Sequence, residues 1–546
     1  MKRKVGLLLS LLLLVSCDNH KPTKLIILLV GDQMRPDHLS RFESLYTGGF
    51  KWLLENSVVF DSAYQQHGYT VTGPGHFAIG TGIYPGPGGV LGNEYFDRDL
   101  GRVVNCVEDP KAHPVGGEGS ARSIRRYKTK GIGDMLKDAD PKSKVFSIGG
   151  KDRAAIFLGG QNPNLALYYN NRDRFISSTF YTDSLPEWVN EYNDNMNLKA
   201  YKDSVWYKIF PDSFYIKYSR QDYFNGEVDF YHDDKHDLND NTDKKKNIYN
   251  PVFPISFDKG VDPGKEFLDT PWFDEKLFGL SEITIEKAEL GSDNHPDLLC
   301  IGISTMDYIL HNYGPFSQEA MDYFLRLDLV LGRFIDYLDH QVGLENIEFI
   351  LSSDHGGLPI PEYLPSLGME GGRVSRKHLK EAYEWINDEI SEMYGDNLFV
   401  RSGVRFYFNH ERLRKNNISF DKPAQVIKKY LLKVDGISAV LTKDEILTSK
   451  EKNAITIRLK NMIHPEKSAD VFALIKEGYL YRSTYGTSHG SPYDYDTHVP
   501  LLFAREGRKY HHINHHAETV DIVPTILDIL NIQTEINLHG KILPIK

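Results

Sequence analysis

Seven side chains of metal-ligating or nucleophilic type are spread through this chain: Asp32, Thr72, Asp307, His311, Asp354, His355 and His489. Their settings read GDQMRPDHL, TVTGPGH, TMDYILHNYGP, SSDHGG and GTSHGSPYDYDTHVPLLF. Carboxylates and imidazoles gathered at one place form the donor set for a pair of divalent, zinc-like ions. A hydroxyl held among them is a natural nucleophile. Asp307 and His311 are four residues apart and share one face if the turn there is helical. Asp354 and His355 are adjacent, so both reach one site only where the chain bends, and Gly356-Gly357 permits that bend. Singly, each has a plainer reading: a DH pair is commonly a solvated turn, and an isolated His is more often structural. The joint pattern is what points to metal-assisted chemistry.

Strand ends must bring these residues together. Short apolar runs closed by Gly, Ser or Asp predict strands at residues 25–30, 145–148, 298–303 and 347–351, and 499–503 predicts a fifth without the closing signal. Continuous apolar runs suit strands buried on both faces of a parallel sheet. Helical periodicity at 317–338 and 520–530 completes an α/β pattern: a doubly wound, mostly parallel sheet flanked by helices. Ligands of such sheets gather beyond the carboxyl ends of the strands, where Asp32, Lys151, Asp307 and Asp354 all fall.

At 546 residues the chain exceeds one ordinary core. Residues 24–364 and 476–546 are expected to form the catalytic core, with a polar insertion at about 185–285, and 365–475 an α/β cap at its mouth. Within the polar stretch, Asp237, Asn239, Asn241 and Asp243 hint at a calcium loop. Thr242 and Ile248 stand where its turn Gly and bidentate Glu belong, so a solvated insertion is the better reading. The formal charge of −11 excludes nucleic acid as a recognition partner, and any phosphate site must be locally positive.

Lys2, Arg3 and Lys4 precede an apolar stretch at 5–15 that is too short to span a bilayer. Leu14-Val15-Ser16-Cys17 resembles a bacterial lipobox. Residues 1–16 are therefore expected to be a lipoprotein signal peptide and 17–23 a tether, with membrane attachment through lipid on Cys17 in the periplasm or outer membrane. An ordinary cleaved signal is the alternative. Cys106 and Cys300 are expected as unpaired thiols, since nothing resembles a disulfide framework.

The motifs VGDQMRPDHL, GNEYFD, KDRAAI, PEWVN, HNYGP, DHGG, THVPLLF and TVDIVPTILDIL give the chain, from Leu25 to about Ile532, a specific resemblance. It resembles the alkaline phosphatase superfamily, and within it the phosphate-irrepressible (PafA-type) bacterial alkaline phosphatases. The resemblance implies an alkaline-phosphatase-like fold with cap insertions and two Zn²⁺ ions. Asp307, His311 and His489 would hold one zinc, and Asp32, Asp354 and His355 the other, with Thr72 coordinated to the second as nucleophile. Choosing Thr72 over Thr70 rests on that resemblance, registered on Gly75-His76. A metal-bound hydroxyl is acidified and held in place.

The implied reaction is hydrolysis of small-molecule phosphate monoesters by double in-line displacement through a phosphothreonine. Asn93, Lys151 and Arg153 match the family's phosphate-oxygen ligands; a guanidinium fork and an ammonium suit a dianion, whereas a diester carries an organic group in their place. The chain departs from the pattern at Gly73-Pro74, where an altered rate or pH optimum is expected. A phosphodiesterase or nucleotide pyrophosphatase of the same superfamily is the alternative activity, and a non-catalytic surface lipoprotein the alternative class. A sulfatase is disfavoured because Thr72 has no C-x-P-x-R context, and a cofactor-independent phosphoglycerate mutase by the export signal. A monomer is expected.

Overall fold

The computed structural model describes residues 21–201, 204–227, 252–256, 263–481 and 485–545. The signal segment, Cys17 and the calcium-loop-like stretch lie outside the described residues. The four runs closed by Gly, Ser or Asp form the strands Leu25–Gly31, Val145–Gly149, Asp297–Ile303 and Ile347–Ser353, every residue of which is buried. They sit in one ten-stranded sheet of order His511–Glu518, Ser57–Tyr64, Leu501–Ala504, Ile347–Ser353, Leu25–Gly31, Asp297–Ile303, Val145–Gly149, Leu165–Tyr169, Phe175–Ser178, Pro114–Val115.

The five strands from Ile347–Ser353 to Leu165–Tyr169 are parallel. Leu501–Ala504 reverses, running antiparallel to both Ile347–Ser353 and Ser57–Tyr64. Two reversals return Ser57–Tyr64 to the central direction, so its carboxyl end lies at the same edge as theirs. The reversed strand instead begins at that edge, which explains why the 499–503 run lacks a closing signal: the chain visits the site before this strand.

Successive residues of the central strands face opposite layers. Ile27, Leu29, Leu299, Ile301 and Phe349 pack with the helices Trp272–Ala288 and Gln318–Gln341. Ile26, Leu28, Leu298, Cys300 and Ile350 pack with Ile522–Ile529. Cys106 and Cys300 are free, buried and in separate clusters.

Among the described residues of the 185–285 stretch, several aromatic side chains join the core. Trp206, Tyr215, Phe267, Phe273, Leu277 and Phe278 are buried in the first of these cores. Trp206 Nε1 donates to Asp322 Oδ2 at 2.5 Å, and the Tyr215 hydroxyl donates to Asp322 Oδ1. Aromatic bodies with satisfied polar ends supply its packing.

The cap is built on an antiparallel sheet of order Phe399–Ser402, Arg405–Phe408, Val471–Ile475, Ile437–Thr442. Helices Arg376–Tyr394 and Asp421–Leu431 bury Ile386, Ile390 and Ile427 against it. Its helix Ala454–Asn461 carries Arg458, which is buried. Arg458 Nε donates to Gln66 Oε1 at 3.0 Å, and Nη1 to Pro492 O at 2.7 Å and Asp494 Oδ1 at 2.8 Å. The cap is thereby fixed to the two core loops that carry Thr72 and His489. Among the described residues no helix is long and apolar enough to cross a membrane.

Candidate active site

Two turns at the sheet edge are stitched together. Asp32 follows its strand directly, and Gln33 then adopts φ +67°, a sparsely populated region for a residue with a Cβ. Its N–H donates to Asp354 Oδ1 at 3.1 Å, and Met34 N–H donates to Ser353 Oγ at 2.9 Å. Gly356 and Gly357 serve here by lacking a side chain rather than by bending the backbone to positive φ. A Cβ would meet Tyr495 O at 2.3 Å from Gly356, or Gln33 Nε2 at 2.2 Å from Gly357.

Asp307 and His311 project from the helix Thr305–Tyr313, with His311 Nε2 3.2 Å from Asp307 Oδ1. His489 Nε2 lies 3.5 Å from the same oxygen. The two imidazoles are oriented by carbonyls, Nδ1 of His311 on Thr487 O and Nδ1 of His489 on Thr70 O, each at 2.7 Å. That arrangement leaves Nε2 facing inward, the usual outer-shell device for a metal-binding histidine.

Donor atoms of Asp307, His311 and His489 lie within 4.8 Å of one another, as do those of Asp32, Asp307 and His355. Asp307 therefore belongs to both groups. Asp354 meets the second through His355, whose Nε2 is 3.4 Å from Asp354 Oδ2 and 3.5 Å from Asp32 Oδ1.

The residues fit cations. Asp32 Oδ1 and His355 Nε2 are buried without hydrogen-bond partners, and Asp354 Oδ2 is buried against His76 Nδ1 at 3.2 Å; converging buried ligand atoms are costly unless a positive charge joins them. The Lys151 ammonium now supplies such charge, 2.7 Å from Asp32 Oδ2 and in contact with Asp307. Burial and the nearby Asp354 hold the Asp32 carboxyl well above its usual range. Burial also pushes Asp307 upward, but His311, Lys151 and His489 outweigh it and hold Asp307 well below. Burial depresses His355 and His489, favouring the neutral imidazoles that metals require.

Thr72 opens the helix Thr72–Thr81, all of whose residues are buried. Gly75 on its first turn lets it approach the second donor group, since a Cβ there would lie 2.1 Å from Asp354 O. Gly73 N–H donates to Asn93 Oδ1 at 2.7 Å. Thr70 instead gives its hydroxyl to Ser491 O at 2.8 Å. Arg153 stands near the start of the helix Asp152–Gly159, with Nη1 on Asp152 Oδ1 at 3.0 Å. Thr72, Asn93, Lys151, Arg153, Asp307, His311 and His489 share one cavity of about 740 Å³, roofed by cap residues. The structure thus brings all the sequence-derived candidates to one edge, with Asp32, Asp354 and His355 buried in its floor.

Three neighbours escaped the sequence reading. His76 and Gln33 contact the candidate ligands through Nδ1 and backbone N–H, which no spacing rule exposes. Tyr308 lines the cavity with its ring 5.1 Å from Lys151 Nζ; its position beside Asp307 was the available signal.

This edge-of-sheet arrangement places the chain in a family. Residues 26–516 match the type I phosphodiesterase / nucleotide pyrophosphatase model, and the chain belongs to that family of the alkaline phosphatase superfamily. It is 31% identical over 530 residues to alkaline phosphatase PafA of Elizabethkingia meningoseptica, covering 95% of this chain and 93% of that one. It is also 31% identical to alkaline phosphatase PhoV of Synechococcus elongatus, over 95% and 92% of the two chains. The crystal structure of wild-type PafA superposes with a TM-score of 0.85, at 30% identity over 96% and 98% of the chains.

Proposed function

We propose that this chain is an exported alkaline phosphatase that hydrolyses small-molecule phosphate monoesters with two zinc ions and a phosphothreonine intermediate. Its class is phosphoric monoester hydrolase, the activity named for curated relatives spanning nearly the whole chain. The observation that carries the reading is two donor groups sharing Asp307 in one cavity with Thr72, Asn93, Lys151 and Arg153.

Asp307, His311 and His489 would hold one cation, and Asp32, Asp354, His355 and the Thr72 hydroxyl the other. Bound cations supply Lewis-acid charge to oxygens in the cavity, and an Asp-His₂ set suits zinc. Thr72 Oγ1 attacks phosphorus as the bond to the ester oxygen breaks, and the departing alkoxide takes a proton. Water then cleaves the bond between phosphorus and Thr72 Oγ1, so two inversions give net retention. Asn93, Lys151 and Arg153 bind the non-bridging oxygens. Lys151 is engaged by carboxylates here, so its transfer to phosphate requires other cations on Asp32 and Asp307. Most of the acceleration comes from positioning and charge.

The test compares phenyl phosphate with its bis-phenyl ester. Higher kcat/KM on the monoester supports the reading; a preference for the diester replaces it with a phosphodiesterase. Export rests on the lipobox-like segment. Loss of labelled palmitate incorporation in Cys17→Ser is the expected result, and undiminished labelling refutes the anchor.

A further inference from the structure

Arg405 reaches the same cavity from the cap strand Arg405–Phe408, and the charges already assigned do not use it. Its guanidinium lies 3.7 Å from the centroid of the Tyr69 ring, and Nη1 donates to Leu91 O at 3.1 Å. Tyr407 stands beside it as a third neutral neighbour. Among the described residues no carboxylate pairs with Arg405. By contrast, Arg126 pairs with Asp97 and Arg98 with Asp470.

A stacked guanidinium loses little further freedom on binding and keeps in-plane N–H donors for an oxyanion. The stack is itself held in place. A Cβ on Gly92 would lie 3.0 Å from Tyr69 and 3.4 Å from Arg405 Nη1. Gly92 precedes Asn93, whose Oδ1 already meets the amide next to Thr72. Arg405 thus lines the same cavity as the phosphate ligands Asn93, Lys151 and Arg153. The cap adds an apolar wall of Leu441, Ile446 and Phe472. A cavity of about 740 Å³ exceeds the needs of phosphate alone and falls in the size range of sites for small organic ligands.

We propose that Arg405, stacked on Tyr69, forms a second anion subsite that selects terminal phosphoryl groups whose leaving group carries another phosphoryl group. The inference rests on the phosphomonoesterase reading of the cavity. ADP is the probe: the terminal P–O bond breaks, water supplies oxygen and protons, and AMP departs with the bridging oxygen while its phosphate rests on Arg405.

The experiment measures kcat/KM for ADP and for phenyl phosphate in the zinc-loaded wild type, Arg405→Ala and Arg405→Lys. The ADP-to-phenyl phosphate ratio is expected to fall by about tenfold or more in Arg405→Ala, the range for losing a charge-assisted hydrogen bond. Arg405→Lys, which keeps the charge without the fork, should fall between the two. A ratio within twofold of wild type in both variants overturns the subsite. Should Arg405→Ala fail to fold, the ratio in Arg405→Lys decides. Calorimetric ADP affinity in a Thr72→Ala background, with and without Arg405→Ala, reads the subsite without turnover. Absent phenyl phosphate hydrolysis by the wild type would thus defeat the phosphatase reading, whereas equal ADP affinities would defeat the subsite.

Discussion

His76 Nδ1 lies 3.2 Å from Asp354 Oδ2, with both side chains fully buried, and 2.9 Å from the carbonyl oxygen of Thr72. One imidazole thus ties the proposed nucleophile's backbone to a proposed zinc ligand, and its own Nε2 has no hydrogen-bond partner. His76→Ala should lower kcat/KM by about 10- to 100-fold, the usual cost of losing such a support. Metal content by elemental analysis should fall with it. Full occupancy with unchanged kinetics would show that the contact positions nothing.

Thr70 and Thr72 make opposite uses of a hydroxyl. Thr72→Ala should cut turnover about a thousandfold or more, since removing a nucleophile typically leaves only binding and charge effects. Thr70→Ala loses one hydrogen bond to Ser491 O, about 1 kcal/mol, and should stay within about tenfold of wild type. Acid-quenched enzyme exposed to labelled monoester should carry label on wild type and not on Thr72→Ala. Label persisting on Thr72→Ala would move the nucleophile elsewhere.

Exhaustive chelation should reduce activity by at least about a hundredfold and lower the thermal midpoint, because a ligand that binds only the native state stabilises it. Zinc should restore both. An apo-protein that retains activity would refute the metal assignment, whatever its melting behaviour.

Asp274 is buried in the first turn of the Trp272–Ala288 helix and accepts the Tyr323 hydroxyl at 2.7 Å. Burial pushes its carboxyl up from 3.8 to about 7. Between those values the native state binds the proton more tightly than the unfolded chain does. Its stabilising contribution is complete below pH 4 and is lost as pH rises through 7, by up to about 4 kcal/mol. Asp274→Asn keeps an acceptor for Tyr323 without the charge, so the thermal midpoint of the variant relative to wild type should be higher at pH 9 than at pH 5. A difference independent of pH would mean that Asp274 titrates normally.

The central strands were legible because burial on both faces forces consecutive apolar residues, a pattern few other structures impose. The reversal of Leu501–Ala504 was not, since pairing direction leaves no mark on a four-residue apolar run. Asp307 and His311 could be read together from helical spacing alone. The sharing of Asp307 between two donor groups depends on rotamers and on a neighbour 48 residues beyond it, His355, and no local pattern carries that. The buried aromatics of the 185–285 stretch were not legible for a different reason. Trp206 and Tyr215 are buried as aromatics with polar ends satisfied by Asp322, so they sit among acids and amides without the periodicity that marks a helix face.

The Arg458 contacts set how this molecule can be rebuilt. A roof held only at its rim could be trimmed or traded for another to change substrate preference. This one shares a guanidinium with Gln66, Pro492 and Asp494, so excising it would unseat the loops beneath. Any chimera must bring its own keystone for those loops, and redesign of selectivity has freer rein on the strands above than on the Ala454–Asn461 helix.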